Sequence, residues 1–151
     1  MLQLIKTNSD NLDFQSLVEK LDADLRIRDG EDNVFYAQFN KITLIKHAVV
    51  AYDANGTPVG CGAIKAFSDT AMEVKRMYVL PEKRGHNIAS TVLKSLENWA
   101  KDLGYAQTVL ETGQKQPEAI ALYKKNGYAV IPNYGQYVGI DNSVCLEKTL
   151  G

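Results

Sequence analysis

Little in this sequence points to metal, redox or nucleic-acid chemistry. It has only two cysteines, Cys61 and Cys145, each inside an apolar strand-like run and neither at metal-ligand spacing. They read as buried, reduced thiols. The two histidines, His47 and His86, have no set of cysteines, histidines or carboxylates around them, so no metal is expected. Neither sign of charge dominates: 17 Lys and Arg stand against 18 Asp and Glu, a net charge of −1. That balance argues against nucleic acid or an anionic membrane as the main partner and confines anion recognition to a local cluster. No apolar run approaches a membrane span, and the first residues lack a basic-then-apolar leader pattern. A cytoplasmic protein is the expectation. The serines have no nucleophile-elbow context. No repeat, low-complexity tract or linker interrupts the chain, and 151 residues suit one domain spanning 1–151.

What is present is a patterned succession of short elements. Leu2–Lys6 reads as a strand, and the polar run 7–11 offers helix caps before Phe14, Leu17, Val18, Leu21 and Leu25 recur at helical spacing. Phe35, Phe39 and Ile42 share one face of a second, shorter helix. Ala48–Tyr52, Val59–Ala66 and residues 73–79 form a meander, its first turn signalled by Asn55-Gly56. Ile88, Val92, Leu96, Trp99 and Leu103 then mark a long helix from about Gly85 to Leu103, stopped by Gly104. A strand at Thr108–Thr112, a helix opened by Pro117, and strands at Tyr128–Ile131 and Ser143–Lys148 complete the chain. The order β-α-α-β-β-β-α-β-α-β-β defines a mixed α/β fold, a central sheet with helices on both faces.

The most informative stretch is Glu73–Ala89. A strand ends at Pro81, which has no N–H for pairing, and Lys83-Arg84-Gly85-His86-Asn87 leads into the long helix. Such a junction directs free backbone N–H groups at one spot, where the helix dipole also favours negative charge. It reads as a phosphate cradle. A solvated basic turn is the bland alternative.

With that order and those residues together, the chain closely resembles the GNAT family of N-acetyltransferases, over essentially its whole length and most strongly at 72–131. The family signature Gln/Arg-x-x-Gly-x-Gly/Ala is matched by Arg84-Gly85-His86-Asn87-Ile88-Ala89, with Asn87 in place of the central Gly. Asn tolerates left-handed backbone, so the turn is expected to form. The helix Gln116-Pro-Glu-Ala-Ile-Ala-Leu-Tyr-Lys-Lys-Asn-Gly-Tyr128 is similar to the second signature, with Gln116 at the usual Asn and Tyr123 at the usual Tyr. Leu110–Gly113, Tyr134–Tyr137 and Ser143 look like a bacterial subgroup of small-molecule acetyltransferases.

The resemblance implies direct transfer from acetyl-CoA to a primary amine in a ternary complex, and a sheet whose fourth and fifth strands splay. Met77, Tyr78 and Val79 would present backbone to the pantetheine, and Arg84, Gly85, His86, Asn87, Ile88, Ala89, Gln116 and Ala119 would complete the acetyl-CoA site. A lysine-like amine of pKa ~10.4 is neutral about once in 2,500 molecules at pH 7, a deficit of roughly 4.6 kcal/mol. One positioned base offsets ~10²–10⁴ of that, and Glu73 is the candidate; a solvent-facing strand Glu is its alternative. Tyr123 is the candidate proton donor to the departing thiolate, against ordinary core packing. Tyr36, Tyr134 and Tyr137 are the expected acceptor contacts. The acceptor is a small amine, with a protein amine the other option. The first-helix charges, among them Asp22 and Asp24, read as a solvated face. Monomer and homodimer both stay open. A non-catalytic acyl-CoA-binding module of the same fold is the alternative reading.

Overall fold

The computed structural model describes residues 2–29 and 45–151, so the expected helix around Phe35, Phe39 and Ile42, and with it Tyr36, lies outside the described residues. In chain order the elements are β1 (Gln3–Thr7), α1 (Leu12–Asp29), β2 (His47–Tyr52), β3 (Pro58–Ala66), β4 (Ala71–Val79), α2 (Ile88–Asp102), β5 (Gln107–Gly113), α3 (Pro117–Lys125), β6 (Ala129–Ile131) and β7 (Ser143–Thr149). Seven strands make one sheet in the order β1-β2-β3-β4-β5-β7-β6. Every neighbouring pair is antiparallel except β4 and β5, which run parallel. The mixed α/β fold with helices on both faces is therefore observed.

Local chemistry explains the boundaries. Asn11 caps α1, its Oδ1 accepting the Phe14 N–H at 2.9 Å. The long helix begins at Ile88 rather than Gly85 because Gly85 and Asn87 both adopt left-handed backbone, φ 86° and 65°. It ends in a Schellman cap: Gly104 at φ 94° lets its own N–H reach Lys101 O and the Tyr105 N–H reach Ala100 O. The core lies between sheet and helices. Phe14, Leu17 and Val18 of α1 are buried, as are Val92, Leu93 and Leu96 of α2. Each such side chain contributes about 1.5–3 kcal/mol by leaving water. Close approach of α2 demands Gly62, where a Cβ would stand 2.7 Å from Leu96 Cδ1 and 2.5 Å from Met77 Sδ.

Candidate active site

The site is opened by a failure of strand pairing. β4 and β5 pair only at Ala71–Gln107, Met72–Thr108 and Glu73–Val109, although the strands continue to Val79 and Gly113. The expected splay is thus present, and its local cause is visible on the other edge of β4. There the register passes from Cys61–Tyr78 to Ala63–Lys75, so β4 carries one residue more than β3. This is a β-bulge, which bends and twists the strand that carries it. Arg76 sits in it at φ 61°, a strained backbone for a residue with a Cβ. The buried Cys61 thiol donates to Arg76 O at 3.3 Å and pins the bulge. Burial pushes that thiol up to about 12, so it stays protonated and able to donate.

Two adjoining cavities follow the parted strands. One, of about 270 Å³, is lined by Met77, Tyr78, Val79, Arg84, Gly85, Ala89, Gln116, Ala119 and Tyr123 among others. The second, of about 120 Å³, is lined by Glu73, Lys75, Arg76, Glu111, Thr112 and Tyr137. Met77, Gln116, Ala119 and Tyr123 line both, so they mark the junction.

At the outer end of the larger cavity, the loop amides fit an anion. Lys83 N–H and Arg84 N–H donate within the turn, to Leu80 O and Pro81 O. The amides of Gly85, His86 and Asn87 have no acceptor among the described residues. The first turn of α2 adds more, because helix geometry leaves those N–H groups unpaired. A Cβ at Gly85 would meet nothing within 4 Å, so the loop is open beside Gly85. The cationic side chains are engaged elsewhere. Arg84 Nε donates to Val79 O at 3.0 Å and its guanidinium stacks on Tyr78, while Lys83 lies 3.9 Å from Asp53. Backbone, more than side-chain charge, makes this cradle. His86 is exposed and Ile88 is buried in the core, so Ile88 can serve the loop through its amide alone.

Tyr123 is placed by the end of α3. Gly127, at φ 95°, allows a second Schellman cap: the Gly127 N–H reaches Lys124 O and the Tyr128 N–H reaches Tyr123 O. That cap brings the Tyr123 and Tyr128 rings edge to face at 5.8 Å. Tyr128 is itself fixed, its hydroxyl donating to Glu97 at 2.9 Å and lying 2.7 Å from Thr108 Oγ1. Burial, and then Glu111, raise the Tyr123 phenol well above its ordinary value, so it is a neutral donor throughout the working pH range.

At the inner end, Glu73 is 9% exposed and so does not face solvent. Its Oε2 accepts the Tyr134 hydroxyl at 2.7 Å and its Oε1 lies 3.6 Å from Lys75 Nζ. Burial and then the Glu73 charge raise Tyr134, which keeps it a donor to Glu73. Tyr134 packs on Phe67 at 4.7 Å and on the buried Tyr137 at 5.9 Å. Tyr134 and Tyr137 thus meet Glu73 at one end of the slot. Two groups escaped the sequence reading. Arg76 was hidden inside a strand, and Asp22, read as part of a solvated face, instead bonds Arg76 at 3.1 Å. The adjacent charges Lys75-Arg76 in an apolar strand were the available signal, since strict alternation would drive one toward the core. His47 packs edge to face on Trp99 at 4.8 Å, and among the described residues no cluster of three or more His, Cys, Asp or Glu could hold a metal. No described helix is long and apolar enough to cross a membrane.

A sheet parted beside a bulge, with free amides beyond it, defines the class. The sequence profile of the acetyltransferase (GNAT) family matches residues 14–128, and the chain belongs to that family. The chain is 41% identical over 97 residues to an IAA acetyltransferase of Azospirillum brasilense, a match covering 64% of this chain and 63% of that protein. It therefore spans somewhat less than two thirds of that relative. Its fold superposes with a TM-score of 0.84, at 28% identity and over 100% and 99% of the two chains, on a Klebsiella pneumoniae protein named as an acyl-CoA N-acyltransferase. A phosphinothricin acetyltransferase from Sinorhizobium meliloti, solved with acetyl-CoA, shares the fold with a TM-score of 0.69 at 22% identity, over 99% of this chain and 89% of that one.

Proposed function

We propose that this protein transfers the acetyl group of acetyl-CoA directly to a primary amine of a small-molecule acceptor, within the bacterial small-molecule branch of its family. One observation carries the reading: the open slot that runs from buried Glu73, past Tyr123, to Gly85, where the unpaired loop amides begin. When bound, acetyl-CoA supplies an activated acyl group, its diphosphate suited to those amides and its arm to the parted edge of β4. The amides of Gly85, His86 and Asn87 hold the anionic end. Asn87 takes the left-handed conformation that its place in the motif requires. Backbone N–H groups at Met77–Val79 stabilise negative charge developing on the carbonyl oxygen. Glu73 accepts the proton of the attacking amine, held in place by the Tyr134 hydroxyl. Tyr123 donates a hydrogen bond to the departing sulfur. Burial holds the Tyr123 phenol a weaker acid than a free thiol of pKa ~8.5, so a hydrogen bond to the thiolate, more than net proton delivery, is its role.

The test is thiol release from acetyl-CoA across a panel of amines. Turnover with at least one small amine is expected. Acetyl-CoA binding with no product from any acceptor would favour a non-catalytic acyl-CoA-binding module instead.

A further inference from the structure

Arg76 is anomalous in a way the transfer chemistry does not use. Its side chain is 2% exposed, yet of its five N–H donors only those on Nη1 have a partner, Asp22 Oδ1 at 3.1 Å. Nε and Nη2 are buried and bond to nothing among the described residues. A guanidinium so placed is costly, because desolvation is offset by a single bond. The titration behaviour agrees. Burial lowers Arg76 and raises Asp22 from their ordinary values, outweighing the attraction between them.

The two unpaired nitrogens are neighbours on one edge of the planar group. That edge matches both oxygens of one carboxylate. Arg76 and Glu73 both line the inner cavity; Nε and Nη2 themselves are covered, so a carboxylate reaches that edge only as the groups over it move aside. The strained φ of 61° at Arg76 holds this arrangement within the same bulge that parts the strands.

We propose that the acceptor is an amine that also carries a carboxylate, an amino acid or short homologue, and that the unpaired edge of Arg76 binds that carboxylate while Glu73 meets the amine. This rests on the acetyltransferase reading and narrows it. Arg76 is then the specificity-determining residue of the acceptor site.

The test compares glycine, β-alanine, γ-aminobutyrate and a set of L-amino acids, each against its own carboxamide, as acceptors for the wild-type protein. The amide keeps size and shape, removes the charge and leaves the amine less basic, so intrinsic reactivity favours the amide. The expected result is a kcat/KM preference for the acid of roughly 100-fold, as for loss of a charged, two-point contact. Arg76→Lys should reduce that ratio to within a few-fold, through the KM for the acceptor and with the KM for acetyl-CoA unchanged. Calorimetric titration of the N-acetylated acid against its N-acetylated amide, in the presence of CoA, reads the same preference without turnover. Equal use of acid and amide by the wild-type protein would overturn the proposal even if Arg76→Lys fails to fold, while leaving acetyl transfer standing. A preference retained in Arg76→Lys would overturn the role of Arg76. Absence of product from every acid and amide, with turnover of some other small amine, would overturn the proposal and leave acetyl transfer standing; absence of product from the whole amine panel would remove both readings.

Discussion

β5 has two edges, and they behave differently. Toward β7 it is zipped along its whole length, with seven consecutive pairs from Gln107–Thr149 to Gly113–Ser143. Toward β4 it holds three pairs and then separates. The strand is the same, so its own sequence does not cause the gap. The difference lies in the neighbour, where the extra residue at Arg76 turns β4 away and leaves backbone available on the open side. Binding capacity here is made by withholding regular structure at one edge of an otherwise complete sheet.

The open edge should respond to chemistry and the closed edge to packing. The largest effect is expected from Tyr123→Phe, which removes a buried donor from the junction of the two cavities. Turnover should fall about 10²-fold with acetyl-CoA affinity nearly unchanged; steady-state rates paired with calorimetry check this, and unchanged turnover would take Tyr123 out of the mechanism. Next is Gly62→Ala, whose added Cβ meets Met77 Sδ and Leu96 Cδ1 at 2.5 and 2.7 Å. It should destabilise the fold by about 1–3 kcal/mol in chemical denaturation, and by shifting Met77 it should also weaken acetyl-CoA binding. Glu73→Gln should lower the rate most at low pH, where neutral acceptor is scarcest; a mutant-to-wild-type ratio flat across pH would argue against a base at Glu73.

Smaller effects sharpen the contrast. Gly127→Ala places a Cβ on backbone at φ 95° and should cost about 1–2 kcal/mol while loosening Tyr123. The smallest concerns His47, far along the sheet. Burial, then Lys46, lowers its imidazole from the ordinary 6.5. The unfolded chain therefore binds more protons just below that value, and the stability His47 contributes above it is lost as pH falls through the lower folded value. Thermal midpoints of wild type and His47→Gln, compared at pH 7 and pH 5, should show a weaker acid loss in the variant.

Much of this was legible in the residues. Periodicity and caps located the described elements within a few residues, because Asn11, Gly104 and Gly127 act locally on the backbone beside them. The slot was foreseen through the motif around Arg84 and the helix holding Gln116 and Tyr123. Arg76 was not, because a bulge depends on the facing strand: the extra residue is defined only against Cys61 and Ala63. Asp22 was one acid in a row of charges, and only its partner across 54 residues distinguishes it. The burial of Glu73 likewise depends on Tyr134, 61 residues away.

The open edge is tested most directly by backbone amide NMR during titration with acetyl-CoA. Perturbed or newly protected amides are expected at Met77–Val79 and Gly85–Asn87, with β7 and the facing edge of β5 unchanged. Saturable binding that leaves those two stretches untouched, or acts instead on the β5–β7 side, would contradict that expectation.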